Sequence, residues 1–558
     1  MIVQVDIKKP VFSLVMPCYK CEDFIKKAID SIIDQDLENW ELICVVNGDW
    51  DKKDETIEII RKYKKKDSRI QLIDIDKGNA CTARNFGASM SKGKYISFFS
   101  SDFYMYPGCL RKWKKEFEEH PEADFVYGGY RLMLNGEIMQ QVVPSKPFDV
   151  WELEMEPYID GGFPMKREVW QRVEWDGKVK SLNDWDFWIR VAHAGFKGYF
   201  FLDITYAAEM PRKGGLSHDS ADNWLERVNF IKKKNNIPKR DICVVSLGAQ
   251  PHGKRIAKIL DADFKVAPQA KPHEYKMIYL MGFYVGTGES AVAHSNVFEG
   301  VAHTAKRVIH WIGTDVLQLK SASYKVCYND LKVLIGSLNN CTNLSEFEPT
   351  KSELETVDIE SEIVALPIGQ EHKIRELPKK FTVAVYTPNN VNAKWIYNLD
   401  MVKDIVKSCP HINFLFFGGG LRDFKAKNLE NVGWTDMDKI IDKSSCLMRL
   451  TYHDGLPVTP IEFAMAGRDA VTTIKLPFMR FAGTGIYTKD NYAVKKEEIV
   501  KLLKQIKKDQ SNKKEHSKIV KKARKFYKEL TSPDVFRKRI YGILNEKKSK
   551  AKHSRTSI

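Results

Sequence analysis

The sequence predicts an α/β chain: one βα domain, two further βα domains in tandem, and a basic helical tail. Three observations carry this. Short apolar runs alternate with apolar stripes at helical spacing through the first 231 residues. Two fresh strand-like runs, Asp241 to Gly248 and Phe381 to Tyr386, restart the pattern after polar segments. Positive charge is concentrated after Lys495.

Phe12 to Pro17 reads as a strand, and Phe24, Ile25, Ala28, Ile29, Ile32 and Ile33 follow at helical spacing. Glu41 to Val46, Ile70 to Ile75 and Tyr95 to Phe99 are further strand-like runs. Repeated βα units imply a mostly parallel sheet, whose ligands bind beyond the carboxyl ends of the strands. Asn47, Asp74, Asp76 and Ser100-Ser101-Asp102 fall there. Lys232 to Arg240, with Pro238, reads as a linker. Ile412 to Phe417 runs into Gly418-Gly419-Gly420. In the tail, Ile499, Leu502, Leu503 and Ile506 form one apolar stripe, and Ile519, Ala523, Phe526, Tyr527 and Leu530 a second.

The bulk numbers set bounds. The chain has 558 residues, 43% hydrophobic and 29% charged, which suits several ordinary globular domains and excludes a disordered chain. No apolar run approaches the roughly 18 residues of a membrane span, and the first residues lack a signal-peptide pattern, so a cytoplasmic protein is expected. Ten scattered cysteines fit buried thiols in a reducing compartment. Cys18 and Cys21 form a lone C-x-x-C without the second pair that a zinc site needs. The sequons at Asn340 and Asn343 go unused in that compartment. Residues 495–558 hold 22 Lys and Arg against 7 Asp and Glu, so nearly all of the net +16 belongs to the tail. That composition suits an anionic membrane surface or a solvated helix face packing back on the domains. No recognition motif for nucleic acid is present.

The ordered motifs Ser13 to Tyr19, Trp40-Glu41-Leu42-Ile43, Ala83-Arg84-Asn85-Phe86-Gly87, Lys92-Gly93-Lys94-Tyr95-Ile96 and Asn183-Asp184 to Arg190 resemble family 2 glycosyltransferases over about the first 220 residues. The resemblance implies the GT-A fold and a nucleotide-sugar donor. It implies a divalent metal, Mn2+ or Mg2+, at the position of Asp102. The family's Asp-x-Asp reads here Ser100-Ser101-Asp102, so the ribose-side carboxylate is a hydroxyl and only the metal-side one remains. Phe103 stands where a further Asp is common. Pro17, Tyr19, Asn47 and Arg84 match donor-side positions, Asp76 or Asp74 is the candidate for the missing carboxylate, and Asp184 matches the base that takes the acceptor proton in an inverting displacement. Asn183 replaces a frequent Glu, which should make Asp184 a weaker base. A plain helix N-cap is the bland alternative for Asp184.

Asp454-Gly455-Leu456-Pro457 to Glu462 and Glu462 to Gly467 resemble the Glu-x7-Glu element of family 4 glycosyltransferases, with their two-domain GT-B fold. The resemblance implies that Glu462 binds ribose hydroxyls, that Asp454 and Gly455 lie by the donor sugar, and that the helix N-terminus faces the phosphates. Of the family's paired basic residues only Lys394 has a candidate counterpart. His310 to Asp315 and Gly286-Thr287-Gly288 are candidate cleft loops of the acceptor-side half.

The expected architecture is therefore α/β: a GT-A domain over 1–238, a double Rossmann-like GT-B region over 239–375 and 376–494, and a basic helical tail over 495–558. The expected protein is a fused, bifunctional glycosyltransferase. It acts on a glycan or lipid-linked glycan acceptor in cell-surface polysaccharide synthesis, in the cytoplasm or peripherally at the membrane's inner face. The alternative is one active half beside a degenerate glycan- or nucleotide-binding scaffold.

Overall fold

The computed structural model describes residues 9–47, 55–75, 78–210, 224–246, 250–266, 275–283, 305–313, 315–316, 319, 338–368, 372–389, 396–451, 454–482 and 496–546, the side chains of Asn47, Leu225 and Gln250 excepted. The chain separates into two compact units, Met1–Lys239 and Arg240–Ile558.

The first unit is built on strands β1 (Phe12–Cys18), β2 (Trp40–Asn47), β3 (Ile70–Ile75), β4 (Tyr95–Ser97), β5 (Phe103–Met105), β6 (Phe125–Tyr127), β7 (Tyr130–Leu134), β8 (Glu137–Val143), β9 (Met165–Lys166), β10 (Gly198–Phe200) and β11 (Tyr206–Glu209). The main sheet has the order β10-β6-β9-β4-β1-β2-β3. Strands β4, β1, β2 and β3 are parallel, and β9 enters antiparallel. The order reverses between β1 and β4, a crevice where open α/β sheets hold ligands. Strands β1 and β2 are buried on both faces, which explains their continuous apolar runs. The βα pattern does not foretell the second sheet, β5-β11-β7-β8, in which β11 and β7 are parallel and the outer pairs antiparallel.

Several sequence motifs prove to be structural. Buried Glu41 accepts hydrogen bonds from Ser13 Oγ (2.6 Å) and from the Lys92 and Gly93 N–H groups, tying three motifs together. A Cβ at Gly93 would lie 2.6 Å from Ser13 N, so only glycine fits. Asn85 Oδ1 accepts from Trp170 Nε1 and Trp175 N, fixing the segment that carries Trp175.

The expected linker is partly helical: helix Trp224–Lys234 absorbs Lys232 to Lys234. Lys234 pairs with Asp186 at 2.7 Å, and Asn235 Nδ2 donates to the same carboxylate. Charge pairing therefore outweighs the disorder suggested by a lysine run.

The second unit contains two parallel six-stranded sheets. One joins Ile242–Val245, Asp263–Lys265, Met277–Met281, Lys306–Trp311, Thr342–Ser345 and Glu362–Ile363. The other joins Thr382–Thr387, Asn413–Gly418, Leu429–Gly433, Cys446–Arg449, Asp469–Thr472 and Arg480–Phe481. In the latter, the chain-order strands stand 3-2-1-4-5-6, with the reversal between Thr382–Thr387 and Cys446–Arg449.

Three helices end the described chain: Lys496–Ser511, Lys513–Leu530 and Pro533–Asn545. The second tail stripe differs from expectation. Val520, Ala523 and Tyr527 are buried, whereas Ile519 and Phe526 are exposed. The last helix reaches back to the first of the two sheets: Tyr541 Oη donates to Leu260 O at 2.8 Å, and Phe536 packs against the Tyr279 and His310 rings. No described helix is long and apolar enough to cross a membrane. Of the nine cysteines among the described residues, eight are buried and Cys341 is half-buried.

Candidate functional site

In the first unit, the register sets Cys18 beside Val46 and Val46 beside Asp74, so the ends of β1, β2 and β3 are level. Pro17, one residue before the end of β1, is half-buried, and Tyr19 just beyond the strand is 53% exposed. Asn47 ends β2, and its side chain lies outside the described residues, as does Asp76. Ser100, buried Ser101 and half-buried Asp102 form a turn after β4, with Phe103 N donating to Ser100 O at 3.1 Å. The strand-end residues around the sheet's reversal are thus brought to one edge.

Asp184 lies in the first turn of helix Asn183–His193. The N-cap residue is Leu182, with φ of 54° and no side-chain cap, so the plain N-cap reading of Asp184 does not hold. Asp184 Oδ1 instead accepts the N–H of Trp185 at 2.9 Å. Burial pushes its pKa up, against the pull of that N–H and of the Arg84 charge.

Sequence reasoning missed Asp160. Its carboxyl is pushed up to about 6, first by burial and then by the Asp184 charge; Tyr206, Gly162 and Arg84 oppose the rise. Tyr206 Oη donates to Asp160 Oδ1 at 2.6 Å and Gly162 N at 2.8 Å. Phe103 stacks on Tyr206 (5.2 Å between centroids), and a Cβ at Gly162 would lie 2.7 Å from the Phe103 ring. The aromatic residue in place of a further acid therefore supports the Asp160 loop. The Asp160-Gly161-Gly162 triplet was the available signal: a carboxylate before two glycines marks close backbone approach.

Arg84 donates to Asn183 Oδ1 at 3.3 Å and lies 4.3 Å over the Trp175 ring. Its Nε is buried without a hydrogen-bond partner among the described residues. The first unit thus joins two half-buried carboxyls and one arginine near a strand-end edge carrying Asp102. A hard divalent ion fits the oxygen donors at that edge, Asp102 carboxylate and Ser100 hydroxyl, with the remaining positions left to phosphate and water. The described group of three potential ligands, Glu116, Glu119 and His120, lies instead at the end of an outer helix, Cys109–Glu119.

In the second unit, Asp454 is paired with Arg449, Oδ2 to Nε at 2.6 Å, and accepts from Thr451 Oγ1 at 3.3 Å. Arg449, unremarked in the sequence, ends its strand 11% exposed; the attraction of Asp454 overcomes burial and raises its pKa. Gly455 touches the other sheet's loops: a Cβ there would lie 2.3 Å from Glu346 Oε2 and 2.5 Å from Ile312 O. Glu346 accepts from Leu456 N and is pushed up to about 8, chiefly by burial. Glu462, on helix Val458–Met465, lies 3.6 Å from His372 Nε2. Asp315 accepts from Phe283 N, Ile312 N and Val316 N, which makes it a loop-shaping residue. Lys394, Thr314 and Gly286 to Gly288 lie outside the described residues.

Comparison with known proteins gives the class. Residues 13–154 match the model of glycosyl transferase family 2. An uncharacterized glycosyltransferase of Methanocaldococcus jannaschii is 26% identical over 235 residues, 41% of this chain and 77% of that one. The putative teichuronic acid biosynthesis glycosyltransferase TuaG of Bacillus subtilis is 26% identical over 259 residues, 42% of this chain and 98% of that one. Chondroitin synthase of Pasteurella multocida is 30% identical over 257 residues, and the match spans 26% of its length. Among solved structures, Anabaena HepE in complex with UDP and glucose aligns at a TM-score of 0.41 and 11% identity, over 55% of this chain and 99% of that one. That score establishes no shared arrangement. The chain is a glycosyltransferase. Its N-terminal unit carries a family 2 domain of GT-A type.

Proposed function

We propose that the first unit transfers a sugar from a nucleotide-sugar donor to a glycan or lipid-linked glycan acceptor, in an inverting single displacement. The observation that carries this is the half-buried Asp184 carboxyl, its pKa raised, beside Asp160 and Arg84 in a family 2 domain. Asp184 takes the acceptor hydroxyl proton. Arg84 balances the carboxyl pair, and Pro17, Tyr19, Asn47, Asp76 and Ser100 grip the nucleotide. Asp102 would hold a divalent ion, Mn2+ or Mg2+, which when bound neutralises the diphosphate leaving group. TuaG and chondroitin synthase are named for polysaccharide synthesis, which supports a polysaccharide or its lipid-linked precursor as product.

The domain reading is 1–238 for this transferase, 239–375 and 376–494 for a GT-B region, and 495–558 for the tail. The 3-2-1-4-5-6 strand order and the placement of Glu462 on a helix after a strand-end loop support a second nucleotide-sugar site, with Asp454, Gly455 and Lys394 on its donor side. The Arg449–Asp454 pair favours a second reading, in which this half binds glycan or nucleotide without turnover. Exposed Ile519, Phe526 and Phe478 occur with exposed Lys514, Lys518, Lys521, Lys522 and Lys525, which supports a peripheral location on an anionic membrane face of the cytoplasm.

The test is a nucleotide-sugar panel with acceptor glycans on the full chain, Asp184→Asn and Glu462→Gln. Loss of all transfer in Asp184→Asn alone leaves a binding role for the second half. Loss of separate products in each variant establishes two transferases, and unaltered transfer in Asp184→Asn refutes the assigned base.

A further inference from the structure

Asp160 is fixed firmly by its surroundings, yet one of its carboxylate oxygens is left open. Oδ1 accepts Tyr206 Oη at 2.6 Å and Gly162 N at 2.8 Å. The backbone O of Asp160 accepts Trp188 Nε1 at 3.2 Å, from the helix that carries Asp184. Ser97 Oγ, on β4, donates to Gly162 O at 2.6 Å. The buried Tyr206 ring is itself clamped between Phe103, at 5.2 Å, and Tyr130, at 5.6 Å. Oδ2 accepts from no described residue, and the side chain is half-buried rather than sealed.

This open oxygen belongs to a residue beside the assigned base. Gly161 separates the two: a Cβ there would lie 3.6 Å from Asp184 Cβ and 3.2 Å from Trp175 Cη2. The loop also borders the metal-side edge, since a Cβ at Gly162 would lie 2.7 Å from the ring of Phe103, which directly follows Asp102. A carboxylate with a purely structural task engages both oxygens. Asp186, two residues after Asp184, does so: Oδ2 meets Arg190 at 2.9 Å, and Oδ1 meets Lys234 at 2.7 Å and Asn235 at 2.8 Å. Asp160 pairs with no cation among the described residues. The group that must approach Asp184 is an acceptor hydroxyl, and a sugar ring carries another hydroxyl on the adjacent carbon. A carboxylate oxygen accepts from such a hydroxyl in a short, charge-assisted hydrogen bond.

We propose that Asp160 Oδ2 binds the acceptor sugar through the hydroxyl on the carbon next to the attacking one, so that the first unit selects acceptors with a vicinal diol. The inference rests on the reading of Asp184 as the base of that unit. Asp160 takes no proton in the transfer. The attacking hydroxyl gives its proton to Asp184, while the neighbouring hydroxyl keeps its own and donates it only as a hydrogen bond. Holding the second hydroxyl fixes the rotation of the ring and thereby which oxygen attacks.

The test is steady-state kinetics of the full chain at pH 8, where Asp160 is ionised. Donors are UDP- and GDP-sugars with Mn2+, and acceptors are octyl hexopyranosides and their monodeoxy forms. Asp160→Asn keeps an Oδ1 acceptor for Tyr206 and Gly162. It should lower kcat/KM for the acceptor by about 10- to 100-fold through a higher acceptor KM, the loss of a hydrogen bond to a charged group. Donor KM should move less than about twofold. One monodeoxy acceptor should show a similar loss with the unaltered chain and no further loss in Asp160→Asn. The deoxy comparison needs no variant, so it decides the matter even if Asp160→Asn does not fold: equal use of every monodeoxy form that keeps the attacking hydroxyl overturns the proposal. An equal loss against full and monodeoxy acceptors in Asp160→Asn, or a loss confined to kcat or to donor KM, also overturns it. In both cases the base assignment stands if Asp184→Asn abolishes transfer. Unaltered transfer in Asp184→Asn, or none to any glycoside by the unaltered chain, overturns the proposal and the reading beneath it.

Discussion

Tyr206 donates a 2.6 Å hydrogen bond to Asp160, a half-buried carboxyl whose pKa is raised by desolvation and further by the charge of Asp184. Two neighbouring carboxyls resist ionising together. The proton-accepting form of Asp184 exists only above its raised pKa. Transfer by the first unit should therefore fall on the acid side, at a pH above the ordinary carboxylate range. Tyr206→Phe removes a donor that favours the Asp160 carboxylate. A neutral Asp160 no longer repels the Asp184 carboxylate, so a pH profile of kcat/KM should show its acid limb displaced to lower pH in that variant. An unmoved limb would separate Asp160 from the chemistry.

The same shift bears on stability. Asp160 has a higher pKa folded than unfolded, so its stabilising contribution is full below about 4, the unfolded value, and is lost as pH rises through about 6. Asparagine at this position keeps an acceptor for Tyr206 and Gly162 without the buried charge. Asp160→Asn is expected to raise the melting temperature of the first unit at pH 8 and to leave it nearly unchanged at pH 3.5. Calorimetry at the two values checks this, and activity should fall in the same variant.

What the sequence disclosed and what it withheld divide along physical lines. The strands β1 to β4 were legible because apolar runs bounded by polar residues have few alternatives. Asp102 and Asp184 stood out in the sequence because motif order fixes their places; their roles are part of the proposal. Asp160 did not, since its significance comes from a fold-back that sets residue 160 against Tyr206, 46 positions later. The motifs themselves mix roles: Arg84 faces the carboxyl pair, whereas its neighbour Asn85 only holds the Trp170 and Trp175 segment. In the second half, Arg449 escaped notice because a strand-end arginine gains meaning only once Asp454 closes on it. The tail stripe was off by one helical position, because Val520 rather than Ile519 packs inward.

Ser100 stands where a second carboxylate would assist the ion. A hydroxyl contributes no charge, so apparent metal affinity should be weak. Ser100→Asp is expected to lower the Mn2+ concentration for half-maximal transfer by about tenfold, the equivalent of roughly 1.4 kcal/mol. A metal titration of initial rates measures it. An unchanged midpoint would mean that residue 100 does not approach the ion.

Arg449 and Asp454 form a pair with side chains 11% and 18% exposed. Removing one partner of such a pair strands the other in a dry place, whereas replacing both by apolar groups relieves desolvation. Asp454→Asn should therefore destabilise the second unit by about 3 kcal/mol, somewhat less where water reaches the freed arginine. The double variant Arg449→Met, Asp454→Leu should recover most of that loss. Denaturant unfolding followed separately for the two units tests both statements, and the first unit's transition should not move. The functional readout is independent of the stability one. If Asp454 also contacts a donor sugar, the double variant stays folded yet loses sugar-nucleotide binding; retention of that binding would confine Asp454 to holding Arg449 in place.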